Sequence, residues 1–311
     1  MDSSPNTKQM KLRILTFFFL FIGLSSQAQQ DAQFTQYMYN TINVNPAYAG
    51  SRGMMSIFGL HRTQWVGIEG APQTNSFSMN TPLNDSQVGL GVSVMNDKIG
   101  PTVENTLTAD FSYSIPTSDT YKLAFGLKAG GSFFNLDVSL LDPNNPIDPS
   151  LTNYNKFNPQ VGAGLYLHSD KTYVGFSIPN FLQTHRYNDN DVLIYTPKMT
   201  YYFIAGHVFD LSPSVQFKPA LLTKIVNGAP LQVDVSGNVL INEKLTLGLA
   251  YRWDAAVSGL AGFQVSDGLF IGYGYDYETT RLQKYNSGSH EIFLRFDLFS
   301  NYNTLVSPRF F

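Results

Sequence analysis

Apolar and polar residues alternate along this chain with a period of two. Leu245, Leu247, Leu249, Tyr251 and Trp253 share one face of an extended segment, and Thr246, Gly248, Ala250 and Arg252 share the other. That pattern predicts a β-strand with one greasy side. It returns at Val88, Leu90, Val92 and Val94 against Gly89, Gly91 and Ser93, and at Leu231, Val233 and Val235 against Gln232, Asp234 and Ser236. Strands are predicted near 54–65, 73–82, 87–97, 103–115, 121–135, 157–168, 172–178, 198–209, 213–225, 230–241, 244–254, 257–266, 268–277 and 289–298. Turn residues at Asn84-Asp85-Ser86, Asn227-Gly228-Ala229-Pro230, Asn242-Glu243-Lys244 and Asp267-Gly268 separate alternating runs, so the last strands are expected to form consecutive hairpins. Longer connections are expected at 136–156, 179–197 and 278–288.

The start of the chain decides which kind of sheet this is. Lys8, Lys11 and Arg13 precede an apolar run from Ile14 to Leu24, followed by the small residues Ser26 and Ala28. Residues 1–28 therefore read as a secretory signal cleaved before Gln29. A retained anchor is the weaker alternative, because the apolar run is about half the length of a spanning helix. No Cys follows it or occurs anywhere, which closes the lipoprotein route and excludes disulfides and thiolate metal sites. Beyond Leu24 no apolar run is long enough for a transmembrane helix, so a membrane reading must be a barrel reading.

Composition strengthens that reading. Charged residues make up 14% of the chain against roughly 25% in ordinary globular domains. Aromatics also reach 14%, with 24 Phe and 18 Tyr, and they cluster at strand ends: Tyr251 and Trp253, Tyr273, Tyr275 and Tyr277, Phe111 and Tyr113, Tyr201 and Phe203. Such residues form the interfacial girdles of membrane barrels. A soluble β-sandwich would also alternate, but it needs Greek-key crossovers rather than so many turns in series. The expected fold is an all-β transmembrane outer-membrane barrel of about 14 antiparallel strands. A net charge of -3 offers no basic field, so nucleic acid is not an expected partner.

By strand parity Gly126, Lys128, Gly130, Gly162, Gly164, Gly248, Arg252, Gly272, Gly274, Asp276, Glu291, Arg295 and Asp297 face inward. Charges of both signs do not make a single-sign constriction. The inward glycines have two readings: they relieve strand curvature, which is the simpler one, or they leave space for a segment inside the barrel. Residues 29–52 and the tail 300–311 are both available to fill that space. Pro308 argues against an interior strand in the tail, so 289–298 is the expected closing strand.

No catalytic or cofactor chemistry stands out. His61, His168, His185, His207 and His290 are scattered without metal-ligand spacing, and no nucleophile elbow, P-loop or dinucleotide fingerprint occurs. An Asp-rich loop at 137–148 lacks a recognised calcium-loop pattern. The expectation is a protein that is not an enzyme and takes no cofactor or metal.

Several blocks resemble the PorP/SprF family of the Bacteroidetes type IX secretion system: FTQYMYN (Phe34 to Asn40), VNPAYAGS (Val44 to Ser51), LHRTQWVGIEGAP (Leu60 to Pro72), NTPL (Asn80 to Leu83), GLGVSVMNDKIGP (Gly89 to Pro101), FSIPNF (Phe176 to Phe181) and SPRFF (Ser307 to Phe311). The resemblance implies an outer-membrane barrel that supports export or surface attachment of one large secreted protein, such as an adhesin, recognised through its C-terminal domain. It further implies association with type IX components and outer-membrane lipid, and a link to gliding motility. The chain then divides into a signal at 1–28, an N-terminal segment at 29–52 at or inside the barrel, the barrel at 53–299 and a tail at 300–311. Candidate partner-binding residues are Asn45, Pro46, Tyr48, Gly50, Gln64, Trp65, Asn96, Asp97, Asp142, Pro308 and Arg309. Each also has a structural role open to it: Asn45-Pro46 as a turn, Gly50 as a special backbone position, Asn96-Asp97 with Gly100-Pro101 as a strand end, and Trp65 as a girdle residue.

Overall fold

Fourteen antiparallel strands form the wall in a computed structural model that describes residues 34, 37–83, 87–140, 153–182, 186–187, 193–195 and 198–298. They are β1 (Met55–Thr63), β2 (Gln73–Pro82), β3 (Val88–Ile99), β4 (Thr102–Pro116), β5 (Lys122–Leu136), β6 (Tyr154–His168), β7 (Thr172–Ile178), β8 (Thr200–His207), β9 (Val215–Val226), β10 (Gln232–Ile241), β11 (Leu245–Arg252), β12 (Ala256–Ser266), β13 (Leu269–Glu278) and β14 (Ser289–Leu298). Each pairs with its neighbours in sequence, and β1 pairs with β14 from Met55↔Leu298 to Thr63↔His290, which closes the sheet on itself. β8 is prolonged past Val208 by Phe209–Ser212, which also pairs with β9. The predicted strand set and the closing strand 289–298 match this wall. The segment 1–28 expected to be a secretory signal, Asp142 with the centre of the 136–156 loop, and the tail with Pro308 and Arg309 lie outside the described residues.

Local chemistry sets the register. Between β10 and β11 the turn residues Asn242 and Glu243 have φ of 51° and 56°, and the Lys244 N–H donates to the Ile241 C=O at 3.0 Å. Two positive φ values give the turn whose twist suits a tight hairpin. The connections at 117–121, 169–171, 213–214, 242–244 and 267–268 lie at one end of the barrel with Met55 and Leu298, whereas those at 64–72, 137–153, 179–199 and 279–288 lie at the other, together with the shorter turns at 100–101, 227–231 and 253–255. In barrels of this type the long loops face outside the cell.

Burial alternates along every strand, but with the sign of a membrane protein. Leu127 is 60% exposed, Leu249 71% and Phe133 56%, while Arg62 is 2% exposed and Glu291 0%. Apolar side chains cover the outer wall, as a lipid-facing surface demands, and the inward face holds the buried polar and charged residues together with an apolar cluster that includes Phe58, Leu60, Phe270 and Phe293. Arg in place of Leu127, near mid-height on the outer face of β5, should therefore destabilise the barrel by about 2 to 4 kcal/mol, and Arg in place of Trp253 at the rim by about 0 to 1 kcal/mol. Urea unfolding in lipid vesicles measures both, and equal costs at the two positions would contradict the assigned face.

Candidate functional site

The lumen is filled by the chain itself. Residues 37–52 run inside it as three short turns, Tyr37–Tyr39, Thr41–Val44 and Pro46–Tyr48, and Met38, Ile42, Ala47 and Tyr48 are all buried. The segment stretches from Arg52 at the short-turn end to Phe34 beside Arg252 at the long-loop end.

So irregular a backbone cannot complete its own hydrogen bonds, and the wall supplies partners. Ser112 donates to the Ala49 C=O at 2.6 Å, Ser177 to Val44 at 2.7 Å, Lys128 to Ile42 at 3.3 Å and Arg252 to Phe34 at 3.1 Å. In return the Asn45 amide donates to the Leu165 C=O at 3.0 Å, while its Oδ1 accepts from the Ala47 N–H at 3.0 Å. Neutral bonds of this kind contribute about 0.5–1.5 kcal/mol each and charged ones about 1.5–3 kcal/mol. Packing adds to them: the Tyr39 ring lies 5.4 Å from Phe270 and 4.8 Å from Phe293, and Tyr48 meets Tyr166 edge-on at 5.7 Å.

Some of the inward glycines correct the curvature reading by making room for the segment, whereas Gly130, Gly248 and Gly272 lie against Leu107, Asn238 and Phe293 of the wall itself. A Cβ on Gly126 would lie 2.1 Å from the Ala47 nitrogen, one on Gly164 2.1 Å from Asn45 Oδ1, and one on Gly89 2.1 Å from the Ala49 oxygen. They form the bed on which the segment rests. Gly50 answers for both backbone and space, with φ of +71° and a virtual Cβ 2.8 Å from the Gly89 Cα.

The inward charges are paired rather than scattered. Toward the long-loop end Arg62 reaches Asp276 at 2.7 Å and Glu291 at 3.3 Å, and Arg252 reaches Asp234 at 2.7 Å. At mid-height Lys128 pairs with Asp110 at 3.1 Å, and toward the short-turn end Arg52 and Arg295 share Asp297 at 2.8 Å and 3.1 Å. Among the described residues no three His, Asp or Glu side chains come together as a metal site.

The candidate residues fall in separate places. Asn45, Pro46, Tyr48 and Gly50 all sit inside the lumen, and the contacts described above are with the barrel wall. Gln64 and Trp65 occupy the β1–β2 connection. Trp65 has φ of 49° and its indole N–H donates to Glu278 at 3.1 Å. It therefore ties this loop to the end of β13. Asn96 and Asp97 lie near the end of β3, which runs to Ile99 before Gly100 and Pro101 turn the chain. The Asn96 amide donates to Asn105 at 2.8 Å, and Asp97 accepts from Thr74 at 2.5 Å. Sequence does not single out Ser112, Ser177 or Lys128, although their parity is inward; nothing in the strand pattern marks which inward polar groups meet a plug.

A filled 14-stranded barrel invites comparison with known proteins. A model of the type IX secretion system membrane protein PorP/SprF matches residues 26–296. The chain belongs to the PorP/SprF family. No curated protein matches it. Among solved structures it is similar to the CymD monoaromatic hydrocarbon channel, at 13% identity and a TM-score of 0.50 over 90% of this chain and 97% of that one. It is also similar to Omp33 of Acinetobacter baumannii, at 8% identity and a TM-score of 0.49 over 79% and 98% of the two chains. The toluene transporter TodX of Pseudomonas putida gives 10% identity and a TM-score of 0.48 over 88% and 95%. Identities this low speak for the fold alone. Family and fold together place this PorP/SprF member in the outer membrane as a β-barrel of the type IX secretion system.

Two substitutions test the filled lumen. Val in place of Gly126 collides with Ala47 and should free the plug, raising single-channel conductance and the protease sensitivity of residues 37–52 while the barrel stays folded. Arg62→Met should cost about 3 to 5 kcal/mol, since it strands two buried carboxylates, as read by urea unfolding in vesicles.

Proposed function

We propose that this barrel is a non-enzymatic holder for one large secreted protein of the type IX system, supporting its export or its attachment at the cell surface. The observation that carries this reading is the plug: the chain's own segment occupies the lumen from end to end, which leaves the rim and the outer connections as working surface. Loops held by a rigid scaffold are where binding function concentrates. Family membership supports association with the shared export components, and the proposal adds to it a single cognate partner, such as an adhesin, recognised through its C-terminal domain.

The rival reading is a passive outer-membrane channel, favoured by the likeness to a hydrocarbon channel in fold. The buried hydrogen bonds and aromatic packing of the plug oppose it, because a conducting path would have to break several of them at once. Purified protein in planar bilayers should therefore conduct weakly and erratically, and a large stable conductance would favour the channel.

Deletion of the gene should remove one or a few large proteins from the cell surface while other type IX cargo continues to appear, as measured by surface proteomics of wild-type and deletion strains. An unchanged surface proteome sinks the holder reading. Loss of all cargo would make the barrel part of the shared machinery.

A further inference from the structure

Two tyrosines of β13 reach from the lipid-facing wall into the connection above it. Tyr275 and Tyr277 share the outer face of the strand, with the opposite parity to the buried Gly274 and Asp276. The Tyr275 hydroxyl donates to the Ser287 C=O at 3.0 Å, and the Tyr277 hydroxyl accepts from the Gln283 amide. The connection 279–288 is thereby drawn onto the outer rim, at the level where aromatic side chains mark the boundary of the hydrocarbon. Its far end is fixed to the β1–β2 connection: the Val66 N–H donates to the Gly288 C=O at 2.9 Å, and the Ser287 N–H donates to the Val66 C=O at 2.7 Å.

Within this connection Arg281–Lys284 form one 3-10 turn, capped by the Thr280 hydroxyl, which accepts from the Leu282 N–H at 3.3 Å. Three residues per turn bring i and i+3 into line. Arg281 therefore stands over Lys284 and Leu282 over Tyr285, so the turn carries a cationic edge and an apolar edge. All four residues are exposed, Tyr285 by 72% and Leu282 by 39%. The carboxylate closest in sequence is already engaged: Glu278 accepts from the Trp65 indole at 3.1 Å and from the Thr280 hydroxyl at 2.7 Å. Arg52, Arg62, Arg252 and Arg295 each meet a carboxylate in the lumen, whereas among the described residues Arg281 and Lys284 have no ion-pair partner. Two such cations beside an exposed Leu and Tyr, at the edge of a lipid-facing wall, match a lipid headgroup: phosphate meets the cationic edge and the start of the acyl chains the apolar one.

We propose that the turn Arg281–Lys284 is a binding site for the phosphate of a lipid headgroup, in the leaflet on the long-loop side. Arg281 and Lys284 hold the phosphate oxygens, and Leu282 and Tyr285 reach toward the acyl chains beneath. The occupant is a lipid and not free phosphate because the apolar edge continues into the outer wall through Tyr277 and its cross-strand neighbour Val257, 48% and 44% exposed. The site stands whether or not the barrel holds a secreted partner.

Native mass spectrometry of the purified barrel in detergent tests the site, with phosphorylated lipid A, the same lipid dephosphorylated, and inorganic phosphate as probes. Wild type should bind the phosphorylated lipid more tightly than the dephosphorylated one, and inorganic phosphate at equal concentration should not compete. Arg281→Ala with Lys284→Ala should weaken binding of the phosphorylated lipid by a factor on the order of thirty, the worth of two cations at a membrane surface. Both residues are exposed, so the heat-modifiable gel mobility of the barrel should not change. The exchange Arg281→Lys with Lys284→Arg keeps both charges and should restore binding. Tyr285→Ser should weaken both lipids alike, which a site for phosphate alone would not show. Equal binding of the phosphorylated lipid by wild type and the double-alanine variant overturns the proposal. So does competition by inorganic phosphate, which would make the site one for the free ion. Loss of a copurified protein from the double-alanine variant, with lipid binding intact, would assign this face to a protein and overturn the proposal equally.

Discussion

Every backbone N–H and C=O at membrane depth must find a partner inside the protein, because lipid offers none. Most of this molecule follows from that constraint. It forces the strands into a closed sheet, with β14 returning to β1. It also accounts for the form of the filling: three short turns cannot satisfy one another, so Ser112, Ser177, Lys128 and Arg252 reach in from the wall to the carbonyls of residues 34–49. The wall and the plug are thus one hydrogen-bonded object.

The same low-dielectric surroundings govern the charges. A lone ion in the lumen would be costly, and each Arg or Lys described there as forming an ion pair has a carboxylate within 3.3 Å. Arg62 of β1 reaches carboxylates on β13 and β14, so that cluster also helps to specify the closing neighbours, whereas Lys128–Asp110 and Arg252–Asp234 join consecutive strands and Arg295–Asp297 lies within β14. Glycine acts in the complementary way. Where the plug comes closest, the wall gives up its side chains altogether, and the NPAYAGS block of the plug fits the glycines of β3, β5 and β6.

Strand positions and facing are legible in the sequence because a period of two, repeated in fourteen segments, matches the pleat of an extended chain and no helical period. Gly126 and Gly164 show where legibility ends. Parity assigns both inward, yet a glycine whose Cβ is excluded by a neighbouring segment looks in sequence like a glycine that merely eases a bend. Trp65 illustrates a second limit: its indole is committed to Glu278, more than two hundred residues away, and no local pattern encodes such a contact. Pro159 is the converse case, a residue at odds with an interior strand that lies on the stretch of β6 where, among the described strands, only β5 pairs with it.

The plug precedes all fourteen strands in the chain, yet its partners are spread over almost the whole wall, from Ser76, 36 residues from Asn40, to Asp297, 245 residues from Arg52. It is made before the wall, yet its farthest contact waits for the last strand. Contacts so distant in sequence make folding slow. The N-terminal segment therefore acts as an internal clasp, joining β14, the last strand to be made, to the stretch of chain that precedes β1.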